Sequence, residues 1–151
     1  MPTPDPLSIP RTGEDGSMKL AKIYLLAFAV FSLVFGLGYL FAPQMLAQPA
    51  GFGVLSAAAT TDVRATYGGF QIGMGAFLIW SAQSQDRYYA ALWLVALSIA
   101  AVFASRMIGV VLDGELGDFH RLGLVIESSL TVATLFVLRK VRGLAGSPVG
   151  A

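Results

Sequence analysis

Residues 88–138 read YYAALWLVALSIAAVFASRMIGVVLDGELGDFHRLGLVIESSLTVATLFVL. This stretch contains two apolar runs, at 88–112 and 122–138, and the short acidic segment 113–119 joins them. A transmembrane helix needs about 17–25 predominantly apolar residues, so each run is long enough to cross a bilayer. Because the connection is short, the pattern predicts an antiparallel helical hairpin.

One charged residue interrupts each run: Arg106 in the first and Glu127 in the second. If the hairpin turns between Leu116 and Gly117, the two charges lie equally far from the turn in sequence. At a rise of about 1.5 Å per residue, each lies roughly 10 Å from the end of its helix. An isolated ionised side chain in lipid costs at least about 2.5 kcal/mol. We therefore expect Arg106 and Glu127 to pair.

The composition of the whole chain extends this interpretation to four spans. Of its 151 residues, 56% are hydrophobic and 13% are charged, whereas soluble domains carry about a quarter charged residues. The charged residues crowd between four apolar windows. The predicted fold class is all-α, an integral membrane four-helix bundle with spans at about 20–42, 63–83, 88–112 and 120–139.

Basic residues are distributed unevenly between the two sides of this four-span arrangement. Only Arg64 and Arg121 fall on one side, and both lie at helix ends. Lys and Arg are enriched in cytoplasmic loops, so the opposite, basic side is expected to be cytoplasmic and to hold both termini. The expected location is the cell inner membrane, as a multi-pass protein. The basic side carries Arg11, Lys19, Lys22, Arg87, Arg139, Lys140 and Arg142.

The two ends of the chain differ in composition from the membrane domain at 19–142. Residues 1–18 are rich in Pro, Gly and charge and have no apolar period, so we expect a disordered N-terminal tail. Residues 143–151 are expected to form a flexible C-terminal tail.

The second span opens with the motif TDVRATYGGFQIGMG at residues 61–75. Arg64, Tyr67 and Gln71 follow the i, i+3, i+7 spacing of one helix face. Gly69 and Gly73 form a G-x-x-x-G pair, a spacing that allows another helix to approach closely in lipid. The glycines predicted to serve helix packing are Gly68, Gly69, Gly73 and Gly75.

With this motif and with Arg106 and Glu127 in its later spans, the chain resembles a family of small bacterial membrane proteins. That family is catalogued only as a domain of unknown function, and the resemblance covers roughly residues 19–142. Its most specific part is the R-A-x-Y-G-G core of the second span. The resemblance implies a four-helix integral membrane protein and brings no activity or catalytic residue with it.

Polar residues of the predicted membrane domain gather in the outer half of the bilayer. His120, Gly123 and Glu127 share one face of the fourth helix, and Arg106 faces them from the third. If these faces meet the second helix, a polar pocket opens between the helices. The residues predicted to bind a ligand there are Arg64, Tyr67, Gln71, Arg106, His120 and Glu127.

Several roles fit this set of residues. The Arg106–Glu127 pair can have the purely structural role of fixing the register of the two helices. The pocket can instead bind a small amphipathic molecule within a non-catalytic accessory subunit. One alternative is a membrane-embedded enzyme for a quinone-, sterol- or isoprenoid-type substrate, with Glu127 as acid or base and Arg106 as its electrostatic partner. Another is proton-coupled transport by an oligomer.

The remaining expectations concern partners and cofactors. The chain has one histidine and no cysteine, so we expect neither a metal site nor a cofactor. A net charge of +1 argues against a nucleic-acid partner. The expected partners are the lipid bilayer and either a larger membrane complex or further copies of the chain.

Overall fold

The computed structural model describes the backbone of residues 12–114 and 116–145, with side chains described for 15–114 and 116–142. The described residues are almost all helical and contain no strand. The helices are α1 (Thr12–Phe41), α2 (Pro43–Ala47), α3 (Ala57–Val63), α4 (Phe70–Ser81), α5 (Tyr88–Asp113) and α6 (Asp118–Ala145), with a π-helical segment at Arg64–Gly69 and short 3-10 turns at Gln48–Ala50 and Gln85–Arg87.

Three helices are long and apolar enough to cross a membrane: Asp15–Phe41, Gln85–Asp113 and Asp118–Arg142. They correspond to the first, third and fourth predicted spans. The second predicted span is built differently, because α3, the π-helical segment and α4 follow one another without interruption over residues 57–81. No single α-helix of spanning length is present there.

The N-terminal boundary of α1 differs from the prediction. The sequence predicts a disordered tail over residues 1–18, but α1 begins at Thr12, so residues 12–18 are helical. Extending an existing helix costs far less than nucleating one, and Asp15 near the start of α1 complements the positive end of the helix dipole. Residues 1–11 lie outside the described part of the chain. At the other end α6 continues to Ala145, and residues 146–151 also lie outside it.

Helix α1 packs closely along the second span because glycines line their contact. A Cβ atom built on Gly36 would lie 2.9 Å from the backbone oxygen of Gly68, and one on Gly75 would lie 3.0 Å from the Ala29 oxygen. Only residues without a side chain permit such an approach of two helix backbones. On another side of α1, the Tyr24 hydroxyl lies 2.6 Å from Thr134 Oγ1 and thus joins α1 to α6.

The apolar core lies toward the end of the bundle where α5 begins. There, Leu25 of α1, Leu78 of α4 and Leu92 of α5 are fully buried, and Val137 and Val141 of α6 pack against the same cluster. The buried positions of α5 stop at Ile99. Beyond this residue no position of α5 up to Asp113 is buried, so the apolar core is confined to the end of the bundle where α5 begins.

The connection between α5 and α6 keeps these two helices adjacent. Gly114 ends α5 with a φ of 69°, and its N–H donates to the carbonyl oxygen of Val110. This left-handed conformation at the end of a helix strongly favours glycine. Because α6 starts at Asp118, the short turn forces the antiparallel hairpin that the sequence predicts.

Candidate functional site

Arg106 of α5 and Glu127 of α6 form a close ion pair beyond the apolar core, toward the turn that joins these two helices. Arg106 Nη2 donates to Glu127 Oε1 at 2.6 Å, and Nε lies 3.0 Å from Oε1 and 3.1 Å from Oε2. Two adjacent guanidinium N–H groups therefore engage one carboxylate in charge-assisted hydrogen bonds, which are stronger than bonds between neutral groups. The side chains are only 21% and 11% exposed. The pairing predicted from their matched depth is confirmed.

His120 accepts a further hydrogen bond from the same guanidinium group. Arg106 Nη1 lies 3.1 Å from His120 Nδ1. Arginine carries donors and no acceptor, so the His120 Nδ1 atom must be unprotonated for this bond to form. In the neutral imidazole the proton then resides on Nε2. The hydrogen bond therefore requires the Nε2–H tautomer of His120.

Gly123 provides the space for this arrangement. A Cβ atom at residue 123 would lie 2.9 Å from both Cζ and Nε of Arg106 and 3.2 Å from Nη2. The guanidinium group thus lies directly against the α6 backbone, between His120 and Glu127. The sequence places Gly123 on the same helix face as these two residues, and the i, i+3, i+7 spacing is the signal for it. Its role in making room for Arg106 was not predicted.

A cleft of about 560 Å³ opens beside the pair, between the second span and the C-terminal half of α5. Most of its wall comes from one face of α5, while Tyr67 borders it from the second span and His120 from the start of α6. Glu127 is not among the lining residues, because Arg106 covers it. The cleft is lined by Tyr67, Ala101, Val102, Ser105, Arg106, Gly109, Val110, Asp113 and His120.

Tyr67 reaches the cleft from the π-helical segment at Arg64–Gly69. Its ring stacks on that of Tyr39 in α1, with 5.2 Å between the centroids and 27° between the planes. A π-helical turn holds one more residue than an α-helical one and changes the direction of the side chains that follow, and such turns are frequent at functional sites. The R-A-T-Y-G-G core therefore forms the irregular turn of the second span.

Two predicted ligand-binding residues lie elsewhere. Arg64 Nε donates to the carbonyl oxygen of Leu40 at 3.0 Å. This bond satisfies one of the carbonyl groups that the end of α1 leaves without a helical partner. Gln71 is half-buried on α4 and is not among the residues that line the cleft. The cleft contains Ser105 and Asp113 instead, and nothing in the apolar pattern around Ser105 singles it out.

The four glycines predicted to pack also divide into two groups. Gly68 and Gly75 are buried against α1. A Cβ atom on Gly73 would have no neighbour within 4 Å, and one on Gly69 would meet only the Arg64 oxygen of its own segment, at 3.9 Å. The contact with α1 therefore uses Gly68 and Gly75 rather than the G-x-x-x-G pair.

The cleft combines hydrogen-bonding groups with an apolar wall. Arg106, His120, Ser105 and Tyr67 supply donors, while Ala101, Val102 and Val110 supply apolar surface. Within the described residues, no three His, Asp or Glu side chains cluster as metal ligands would.

Comparison with known proteins identifies a family for most of the chain. A family model described as Domain of unknown function (DUF4345) matches residues 20–138. No curated protein and no solved structure matches the chain. The matched residues include the π-helical segment, the Arg106–Glu127 pair and the whole lining of the cleft. The chain belongs to this uncharacterised family, Domain of unknown function (DUF4345).

Proposed function

We propose that the chain crosses the cell inner membrane four times, with both termini in the cytoplasm. The uninterrupted helical stretch at 57–81 supports a fourth span beside the three long helices, since about 20 residues suffice to cross. Large apolar side chains such as Leu97, Val111 and Val132 are more than 60% exposed, as lipid-facing residues are. The distribution of Lys and Arg supports the orientation.

Within this arrangement, the proposed function is binding of a small amphipathic molecule in the cleft, as a carrier or a non-catalytic accessory subunit. The observation that carries the proposal is the cleft itself, a space of about 560 Å³ beside a buried ion pair. Its volume lies in the range of about 300–1,000 Å³ that is usual for small-molecule sites. A polar head can reach Arg106 and His120 while an apolar tail lies along α5.

The geometry of Glu127 favours binding over acid–base catalysis. Both of its carboxylate oxygens accept hydrogen bonds from Arg106, and the residue does not line the cleft. A general acid or base must come within hydrogen-bonding reach of the group that it serves. Arg106, in contrast, lines the cleft directly, so it is the member of the pair that a ligand can touch.

Lipid co-purification tests this proposal with two matched variants. Ala101 and Ala104 are both exposed alanines of α5, but only Ala101 lines the cleft. Wild type, Ala101→Trp and Ala104→Trp are purified into nanodiscs, and their bound lipophilic molecules are identified by mass spectrometry. We expect one species to be enriched over the bulk membrane in wild type and Ala104→Trp and lost in Ala101→Trp. Identical, unenriched profiles in all three proteins would refute the proposal.

A further inference from the structure

Arg106 retains hydrogen-bonding capacity that its protein partners do not use. Arginine has five N–H donors. The Nε donor and one on Nη2 go to Glu127, and one on Nη1 goes to His120, so one donor on each Nη atom remains. Because Arg106 lines the cleft, these are the donors that a bound molecule can meet.

The neighbouring groups at the polar end of the cleft add donors to these. The hydrogen bond to Nδ1 leaves the proton of His120 on Nε2, so this ring presents an N–H group as well. Ser105 and Tyr67 contribute hydroxyl groups to the same lining. Hydroxyl groups can donate or accept, but the N–H groups of Arg106 and His120 can only donate, so a molecule that binds to them must bring acceptors.

The charges around the cleft limit which acceptors suit it. Glu127 neutralises Arg106 at 2.6 Å, and His120 is neutral while it accepts from Arg106. Asp113 is then the one uncompensated charge among the described lining residues. Its side chain folds back over Gly109, where its Oδ2 lies 3.9 Å from the position of a Cβ atom. Asp113 is an exposed residue at the end of α5, so its negative charge lies at the mouth of the cleft and disfavours the approach of an anionic head.

The cleft offers the N–H donors of Arg106 and His120 but carries no net positive charge. We therefore infer that the bound molecule has a neutral head with a carbonyl oxygen. Two sources share this chemistry, an aliphatic ketone and a quinone ring, each with an apolar tail. The charge of Asp113 disfavours fatty carboxylates and other anionic lipids. An ammonium head, which Asp113 would attract, brings no acceptor for the N–H groups of Arg106 and His120. This inference rests on the proposed function, since it names the class of molecule that the cleft takes.

A fluorine probe in the cleft allows the heads to be compared directly. The chain has no cysteine, so a cysteine at Val102, which lines the cleft, can be labelled with a trifluoromethyl group without competing reactions. The same label at Ala104, outside the lining, is the control. Each protein in nanodiscs is titrated with undecyl methyl ketone, decyl-benzoquinone, dodecanoate and dodecylamine, and the ¹⁹F resonance is followed.

We expect the ketone or the quinone to shift the resonance at residue 102 saturably and to leave that at residue 104 unchanged. The carboxylate and the amine should bind at least about tenfold more weakly. The tighter of the two carbonyl probes then identifies the source. Asp113→Asn should strengthen dodecanoate binding several-fold and change ketone binding by less than about twofold, because it removes charge without removing a donor.

Two results overturn the inference and are distinguishable from a failure of the proposed function. Dodecanoate or dodecylamine binding as tightly as both carbonyl probes would refute the neutral head. The inference is also wrong if no probe shifts residue 102 while Ala101→Trp still removes a co-purified lipid, and cleft binding then stands. If the probes have no effect and Ala101→Trp removes no lipid either, the proposed function itself fails.

Discussion

The guanidinium group of Arg106 lies where a side chain of residue 123 would otherwise be. A Cβ atom on Gly123 would approach Arg106 Cζ to 2.9 Å, a distance that real Cβ atoms do not tolerate. The position of Arg106 between His120 and Glu127 thus depends on a residue that contributes no hydrogen bond and no charge. A substitution that fills the space at residue 123 therefore tests whether Arg106 needs it to contact His120 and Glu127.

We expect Gly123→Ala to displace Arg106 from both of its partners. The guanidinium is the end of a flexible side chain and can move, but it must leave the position in which it now bonds both Glu127 and His120. Leaving a buried polar group without its partner costs about 1–3 kcal/mol. Thermal unfolding in nanodiscs should therefore show a lower midpoint for Gly123→Ala.

Gly73→Ala is the matched control for this prediction. It also replaces a helical glycine, but its Cβ atom would have no neighbour within 4 Å. Alanine favours a helix over glycine by about 1 kcal/mol, so this variant should be as stable as wild type or more so. Equal stability of Gly123→Ala and Gly73→Ala would mean that the space at residue 123 is not required.

The Arg106–Glu127 pair is expected to show strong coupling in a double-mutant cycle. Arg106→Met and Glu127→Leu should each lower the free energy of unfolding by about 3 kcal/mol, because each leaves one buried charge unpaired. The double variant should recover most of this loss. The measurement is chemical unfolding of all four proteins in the same lipid. Additive losses would show that the two residues do not interact energetically.

The contact between α1 and the second span is expected to be intolerant of a single methyl group. A Cβ atom on Gly36 would lie 2.9 Å from the Gly68 oxygen and 3.0 Å from the Ile72 nitrogen, and backbone atoms cannot move aside locally. Gly36→Ala should therefore destabilise the protein by about 1–3 kcal/mol. Gly16→Ala, in the same helix and with open space around it, is the control and should not destabilise. An unchanged unfolding midpoint for Gly36→Ala would contradict this close packing.

Reporter fusions test the proposed topology. Because seven Lys and Arg residues lie on one side of the four-span arrangement, a cytoplasmically active reporter fused after residue 143 should remain active. A reporter inserted within 112–119 should be exported. Export of the C-terminal reporter would rule out four spans with cytoplasmic termini.

Much of this architecture follows from local features of the chain. The long apolar runs predict α1, α5 and α6, because the hydrocarbon core requires helices whose backbone hydrogen bonds are satisfied internally. The short segment between α5 and α6 forces these helices to be antiparallel neighbours. Arg106 and Glu127 can be paired from sequence for the same reason, since equal distance from one turn gives equal depth.

The composition of the cleft depends on contacts between distant segments. The pattern of the second span predicts Arg64, Tyr67 and Gln71 on one face, but of these three only Tyr67 lines the cleft. The span contains a π-helical turn and packs on α1 through Gly68 and Gly75. Tyr67 then borders the cleft, while Arg64 caps α1. A regular helical period cannot predict this separation, because the orientation of the span depends on which neighbour its glycines meet.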